Sequence, residues 1–195
     1  MARITDPTKL EGIKKATMEL VVKYGYRGTS IGAIARKAGV STGYLYRHYN
    51  GKSDLIDDLI ESNFKAFQEI FSRTVDEKGT ARDAVFNVTK ILFELSINEP
   101  INAKFLSVLV FDQNSEVRKR RTEDRKIKKL VDNILELGIR NDEINPKTTV
   151  EEIILILFPI IFSYISSNLI EDYDKEKFGD EKAKRITEIC LNAWK

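Results

Sequence analysis

The side chains that could perform chemistry are few and widely separated in this sequence. The 195-residue chain contains a single histidine, His48, and a single cysteine, Cys190. We find no spacing typical of a zinc site, a phosphate-binding loop or a nucleophile paired with a base. We therefore expect no catalytic residue, no metal and no cofactor. An enzyme is the least favoured of the functional classes that we compare.

The composition predicts a helical protein of the cytoplasm. Hydrophobic residues make up 42% of the chain, and only 10 Gly and 4 Pro are present. Apolar residues recur at the three-and-four spacing of an amphipathic helix, without a convincing strand, so we predict an all-α fold. A lone cysteine cannot form an intramolecular disulfide, and the N-terminus carries no signal-peptide pattern. We therefore expect a cytoplasmic location and no membrane association.

Positive charge is concentrated at the N-terminus. Residues 1–52 contain ten basic and three acidic side chains, a net charge of +7, whereas residues 53–195 carry a net charge of −5. A polyanion such as DNA would therefore be attracted to the N-terminal part of the chain. This division predicts a DNA-binding domain over 1–52 and a separate helical domain over 53–195.

Helix-start signals divide the basic region into three helices. Asp6 before Pro7 is typical of an N-cap followed by proline at the first helical position, and Gly25 is expected to end this helix. Ser30 is predicted to cap a short second helix and Ser41 a third, which we expect to extend to Tyr49. The turn between them contains Gly39, which can adopt the left-handed conformation. Two helices joined by such a turn form a helix-turn-helix, whose last helix enters the major groove.

Further capping signals predict the helices of the second domain. We expect these helices to begin at Ser53, Thr80, Pro100, Ser115, Thr148 with Glu151 as its capping box, and Asp180. The segment Ile153–Ile165 is apolar on nearly all sides, so it must be buried on nearly all sides. At 13 residues it is too short for a membrane span, which needs about 20 residues.

The motif around the second and third helices resembles a known family. It contains Gly28-Thr29-Ser30-Ile31, Ile34-Ala35, Ala38-Gly39-Val40-Ser41, Gly43, Leu45-Tyr46, His48-Tyr49, Lys52 and Leu55. Over residues 10–56 this pattern closely resembles the TetR (tetracycline repressor) family of bacterial regulators. The resemblance implies about nine helices, with a helical bundle following the DNA-binding domain. It also implies that 53–195 is a helical ligand-binding and dimerisation domain. The homodimer would form through the last two helices, and repression is the family's commoner mode of regulation.

Each candidate DNA-binding residue has a physical role. Ser30 and Ser41 lie at helix starts, where free backbone amides can meet phosphate oxygens. Gly43 permits close approach to the bases, and Thr42, Tyr44 and Arg47 are the expected readers of base edges. The resemblance implies phosphate contacts by Tyr46, His48 and Lys52. We add Lys37 as a further cation of the predicted interface. The alternatives are a solvated role for Arg47 and a catalytic or metal role for His48.

Phenylalanines dominate the middle of the second domain, where the resemblance implies a cavity for a small, mostly apolar effector. A solid core remains an equal interpretation of the residues themselves. The predicted effector-binding residues are Phe64, Phe67, Phe71, Phe86, Phe93, Asn102, Phe105 and Phe111. The main alternative function is a dimeric DNA-binding protein that responds to no effector.

The resemblance also implies which residues form the dimer interface. We expect the two apolar C-terminal helices to pair with their mates and set two recognition helices on a palindromic operator. The predicted interface residues are Ile153, Ile156, Ile160, Tyr164, Ile189 and Trp194. A basic run between Arg118 and Lys129 is expected to be a solvated helix face, with a second DNA or membrane-surface site as the less favoured alternative.

Overall fold

The chain folds into helices throughout the ranges that the structure describes. This computed structural model describes residues 6–74, 79–111, 125–169 and 175–195, where it contains nine α-helices, one 3-10 helix and no strand. The all-α prediction is confirmed. The chain divides into two compact units, Met1–Ala66 and Phe67–Lys195. Because this division falls inside a helix, the domain boundary between residues 52 and 53 stays a prediction.

The first unit consists of three helices and the beginning of a fourth. These are α1 (Pro7–Gly28), α2 (Ile31–Lys37), α3 (Thr42–Tyr46) and α4 (Lys52–Thr74). A compact core joins them, since Ile13 of α1, Ile34 of α2, Leu45 of α3 and Leu55 of α4 are all fully buried. This core holds α3 against the other helices and leaves its opposite side exposed.

Local capping explains where the first three helices begin. The Asp6 carboxylate accepts a hydrogen bond from the Thr8 amide at 3.1 Å, and Ser30 and Ser41 accept from the amides of Ala33 and Tyr44 at 3.2 and 3.1 Å. Each of these caps satisfies an amide that has no partner within its helix. The three predicted N-caps are thereby confirmed.

Several predicted boundaries in the first unit are wrong by a few residues. Gly25 interrupts α1 with a φ of +72°, as predicted, but the helix resumes and ends at Gly28. Helix α3 ends at Tyr46 rather than Tyr49. Helix α4 begins at Lys52, so Ser53 lies in its first turn and is not the cap. Gly39 has a φ of +68°, the left-handed conformation predicted for the turn.

The second unit contains five further α-helices. They are α5 (Ala81–Asn98), α6 (Pro100–Phe111), α7 (Arg125–Arg140), α8 (Val150–Asn168) and α9 (Asp180–Ala193), with the 3-10 helix Lys175–Phe178 before α9. Helix α6 packs mainly on α8, and α5 packs mainly on α9. Thr80 caps α5 as predicted, but the capping box of α8 is formed by Thr149 and Glu152, one residue beyond the predicted pair. The helix start predicted at Ser115 lies outside the described residues.

Helix α8 is longer than the apolar segment Ile153–Ile165 that it contains. It has 19 residues and continues through Pro159, and by length and composition alone it is long and apolar enough to cross a membrane. The 13-residue segment Ile153–Ile165 is too short to span a membrane, but the whole helix that contains it is not. Ile153, Leu157 and Ile161 of this helix are fully buried within the protein, whereas Leu155 is 70% exposed. Helix α8 thus has one face in the core of the unit and another that the protomer leaves uncovered.

Candidate nucleic-acid interface

The exposed side of α3 carries the side chains expected to contact DNA. Thr42, Gly43 and Arg47 are exposed, and the Tyr46 side chain is 60% exposed although tyrosines normally bury much of their surface. Burial of Leu45 and of Tyr49 on the opposite side forces this orientation, because consecutive residues of a helix point in different directions. The structure therefore brings four of the predicted DNA-binding residues together on one exposed surface.

Tyr44 has a different position from the one predicted for a base-reading residue. Its ring packs partly against the core of the first unit, and its hydroxyl oxygen is buried without a hydrogen-bond partner among the described residues. The His48 ring lies 5.0 Å from the Tyr44 ring between centroids, and the Arg47 guanidinium lies 4.9 Å from its centroid. In this arrangement the Tyr44 hydroxyl is buried and its ring supports Arg47 and His48. Base reading by Tyr44 stays a prediction.

Lys52, which is predicted to contact phosphate, makes several contacts within the first unit. Its ammonium donates hydrogen bonds to the backbone carbonyls of Tyr26 at 2.7 Å and Thr29 at 2.8 Å. It also lies 4.1 Å from the centroid of the Tyr26 ring. Both carbonyls belong to the end of α1 and the residue after it, where backbone acceptors lack helical partners. Lys52 therefore joins the start of α4 to the end of α1, and its contact with phosphate stays a prediction.

Lys37 is engaged within the first unit as well. Its ammonium lies 2.7 Å from the Glu19 carboxylate, and both side chains are substantially exposed. An exposed ion pair is weak, so it can open when a phosphate competes for the lysine. Ser30 and Ser41 remain at the N-termini of α2 and α3, where their hydroxyls cap the helices.

A half-buried polar network beside the interface was not predicted from the sequence. The Tyr49 hydroxyl donates a hydrogen bond to Oδ2 of Asp58 at 2.6 Å, and the Lys14 ammonium lies 2.8 Å from the same oxygen. Burial raises the pKa of Tyr49 well above its usual range, and the hydrogen bond to Asp58 adds to this effect. Burial opposes ionisation of Asp58, but the hydrogen bonds from Lys14 and Tyr49 hold the pKa of its carboxyl below the ordinary value. Sequence spacing gave no signal for these partners, which are 9 and 44 residues from Asp58.

The predicted effector residues that can be located do not share one environment. Phe93 and Phe105 are fully buried, and Phe93 stacks on Tyr164 with its ring 5.4 Å away between centroids. Phe86 is half-buried, and Phe111 is 48% exposed at the end of α6. Asn102 donates to the Glu99 carboxylate at 2.5 Å. The side chains of Phe64, Phe67 and Phe71 lie outside the described residues.

Two of the predicted interface residues belong to the interior of the protomer. Ile153 is fully buried, and Trp194 is 2% exposed, so neither side chain is available to a second chain. The Trp194 carbonyl accepts hydrogen bonds from the Asn145 amide at 2.8 Å and the Thr148 hydroxyl at 3.3 Å, which ties the C-terminus to the loop before α8. Ile156, Ile160 and Tyr164 are half-buried and Ile189 is 42% exposed, so these four remain candidates for the interface.

The remaining candidates for chemistry lie in unreactive surroundings. Cys190 is fully buried, and burial raises the pKa of its thiol to about 12, which keeps it protonated at neutral pH. Among the residues that the structure describes, no three His, Cys, Asp or Glu side chains gather in a way that would hold a metal ion.

Of the basic run between Arg118 and Lys129, residues 118–124 and the side chains of 125–127 lie outside the described residues. Lys128 pairs with Glu151 at 3.1 Å.

Known proteins resemble this chain in the sequence of the first unit and in the fold. Residues 13–59 match the family described as "Bacterial regulatory proteins, tetR family". A fatty acid metabolism regulator protein of Bacillus subtilis is 25% identical over 158 residues, which cover 80% of this chain and 81% of that protein. The crystal structure of the transcriptional regulator FadR from Bacillus subtilis in complex with stearoyl-CoA superimposes with a TM-score of 0.73 at 22% identity, covering 93% of this chain and 97% of that one. The fatty acid degradation regulator FadR from Bacillus halodurans gives a TM-score of 0.73 at 18% identity, covering 97% of each chain.

Proposed function

We propose that the chain is a DNA-binding transcriptional regulator of the tetR family rather than an enzyme, and that it represses transcription by binding a palindromic operator as a two-fold dimer. We propose further that a long-chain acyl-CoA releases it from that operator in the cytoplasm. The observation that carries the proposal is the exposed surface of α3, capped by Ser41 and lined by Thr42, Tyr46 and Arg47.

In the proposed complex, α3 lies in the major groove with Gly43 nearest the bases. Arg47 has the planar donor pattern that guanine accepts through O6 and N7, and Thr42 offers a hydroxyl and a methyl group. Tyr46 and His48 flank this surface and donate to phosphate oxygens, as do the N-terminal amides behind Ser30 and Ser41. These contacts assign base reading to Thr42 and Arg47 and positioning to the remaining side chains.

The uncovered faces of α8 and α9 support the proposed dimer. Leu155 is 70% exposed and Ile189 is 42% exposed, an arrangement that favours a partner surface over water. A groove of about 560 Å³ lies between the same two helices and the end of α6, lined by residues that include Pro159, Ile160 and Ile189. A second copy related by a two-fold axis would cover these residues. It would also set two recognition helices at the spacing of about 34–36 Å that successive major grooves require.

The proposed effector follows from the relatives and from the character of the second unit. One similar protein carries the name of a fatty acid metabolism regulator, and a structural neighbour binds stearoyl-CoA. An acyl chain needs a long apolar cavity, and the bundle of α5, α6 and α8 supplies apolar side chains on most of its surfaces. Because Phe93 and Phe105 already fill the core, we assign the effector contacts preferentially to the half-buried Phe86 and Asn102.

The DNA-binding proposal is tested with two tyrosines of matched exposure. Tyr46 is 60% exposed on the proposed interface, whereas Tyr24 is 54% exposed near the end of α1. We expect Tyr46→Ala to weaken binding to the DNA upstream of its own gene about tenfold or more, and Tyr24→Ala to change it less than about twofold. Fluorescence anisotropy at two salt concentrations measures both. Equal losses in the two variants would contradict the assigned interface.

The dimer is tested by a charge on its proposed surface. Leu155→Glu should produce a monomer in sedimentation velocity, because an isologous contact places the two carboxylates close together in an apolar interface. Leu155→Met, which keeps the position apolar, should remain a dimer. If Leu155→Glu sediments as the wild type does, another surface forms the dimer.

The effector is tested by titrating stearoyl-CoA into the operator complex, with free coenzyme A and free stearate as controls. Release requires an effector that binds the DNA-free form more tightly than the DNA-bound form. We expect release by the thioester at concentrations where neither control acts. Tight operator binding that none of the three ligands affects would favour the effector-independent alternative.

A further inference from the structure

The first part of α4 is attached to the rest of the first unit at two separate points. At the first point, Lys52 donates to the carbonyls of Tyr26 and Thr29. At the second, Asp58 accepts from Tyr49 at 2.6 Å and pairs with Lys14 at 2.8 Å. We call the group of Tyr49, Asp58 and Lys14 the polar clamp. The two points are six residues apart, which corresponds to about 9 Å along a helix.

Two attachment points constrain a helix in a way that one does not. A helix held only at Lys52 can pivot about that point, whereas a second contact about 9 Å further along also fixes its direction. Helices α4 and α3 are further joined by the short connection between Tyr46 and Lys52, in which the Tyr49 amide donates to the Leu45 carbonyl at 3.0 Å. The Tyr49 side chain therefore moves with α3, while Asp58 moves with α4.

The polar clamp is well suited to carry such a constraint. Tyr49 is 8% exposed, whereas the side chains of Lys14 and Asp58 are 29% and 38% exposed, so the clamp lies at the edge of the core. A hydrogen bond to an ionised carboxylate is among the stronger ones, and Asp58 receives two donors at a single oxygen. Ser62, one turn further along α4, accepts from the Lys14 ammonium at 3.3 Å. Helix α1, the end of α3 and α4 therefore meet at one set of ionic hydrogen bonds.

We propose that the polar clamp positions the recognition helix, by fixing the orientation of α3 on residues 52–62 of α4. Tyr49, Asp58 and Lys14 are then positioning residues that touch neither base nor phosphate. The inference goes beyond the proposed function and depends on operator binding alone. Failure of stearoyl-CoA to act would leave it intact.

The first test compares the full-length wild type with Tyr49→Phe by hydrogen exchange, with and without operator DNA. In the wild type we expect DNA to slow exchange of the amides of residues 58–62 together with those of α3. In Tyr49→Phe we expect α3 to remain protected by DNA while the protection gained by residues 58–62 falls at least about threefold. Tyr24→Phe, which removes a hydroxyl from an exposed ring, serves as the matched control. Equal gains in the wild type and Tyr49→Phe would overturn the proposal.

Operator affinity supplies a second and independent measurement. Tyr49→Phe changes no charge, so it should weaken operator binding by about threefold to tenfold without altering the dependence on salt, whereas loss of a phosphate contact lowers the salt slope. The Tyr49→Phe, Asp58→Asn double variant should bind more tightly than the product of the two single effects predicts, because Tyr49→Phe removes the hydrogen bond that Asp58→Asn weakens. Affinities that multiply independently, measured where all variants are fully folded, would show that the pair acts as separate structural residues.

Discussion

Replacement of Lys52 by methionine separates a structural role from a phosphate contact at this position. Methionine retains much of the apolar stem but removes the ammonium that donates to Tyr26 at 2.7 Å and Thr29 at 2.8 Å. Hydrogen bonds from charged groups contribute about 1.5–3 kcal/mol each when they are well shielded. Since Lys52 is only half-buried, we discount this range and expect a total loss of about 2 kcal/mol.

The expected loss is measured by urea unfolding followed by far-UV circular dichroism, because the single tryptophan, Trp194, belongs to the other unit. The free energy of unfolding falls by about 1–3 kcal/mol per molar urea, so a loss of about 2 kcal/mol in stability lowers the unfolding midpoint by roughly 1 M. Lys23→Met is the control, because the exposed Lys23 ammonium lies over the Tyr24 ring at 5.1 Å and its loss should cost under about 0.5 kcal/mol.

A phosphate contact by Lys52 would give the opposite pattern. The unfolding midpoint would then stay unchanged, while the slope of operator affinity against salt concentration, on logarithmic axes, would become shallower by about 0.9. That result would refute the assignment of Lys52 to the junction between α1 and α4. A lowered midpoint with an unchanged salt slope would support it.

Three further predictions concern stability. Gly138→Ala should destabilise the second unit by about 1–3 kcal/mol in denaturant titrations followed by tryptophan fluorescence, since a Cβ there would lie 2.4 Å from the buried Ile144 side chain. Gly12→Ala, where nothing lies within 4 Å, should instead stabilise α1 by about 0.5–1 kcal/mol in the same titration followed by circular dichroism. Because the folded-state pKa of Asp58 is lowered, its contribution is present above its unfolded pKa of about 3.9 and is lost as the pH falls through the folded value. Wild type should therefore exceed Asp58→Asn in stability by more at pH 7 than at pH 3, and an advantage of the same size at both pH values would contradict the assigned cause.

The sequence alone determined the features whose interacting groups lie close together along the chain. The caps at Asp6, Ser30 and Ser41 depend on amides two or three residues away, and the left-handed turn depends on Gly39 itself. The all-α fold follows from helical periodicity. The exposed position of Tyr46 follows from the same periodicity and from the burial of Leu45.

Tertiary structure decided the features whose partners are distant in sequence. Lys52 binds carbonyls 26 and 23 residues away, and no local pattern distinguishes such a lysine from one that contacts phosphate. The same holds for the pairing of Asp58 with Lys14, 44 residues apart.

Helix α8 shows a second limit of sequence reasoning. Ile153 and Leu155 are both apolar and lie two positions apart, yet one is fully buried and the other is 70% exposed. A helix that is apolar on every side has no periodic signal to tell its core face from its free face. Only the helices packed against it decide which side chains remain available to a second chain.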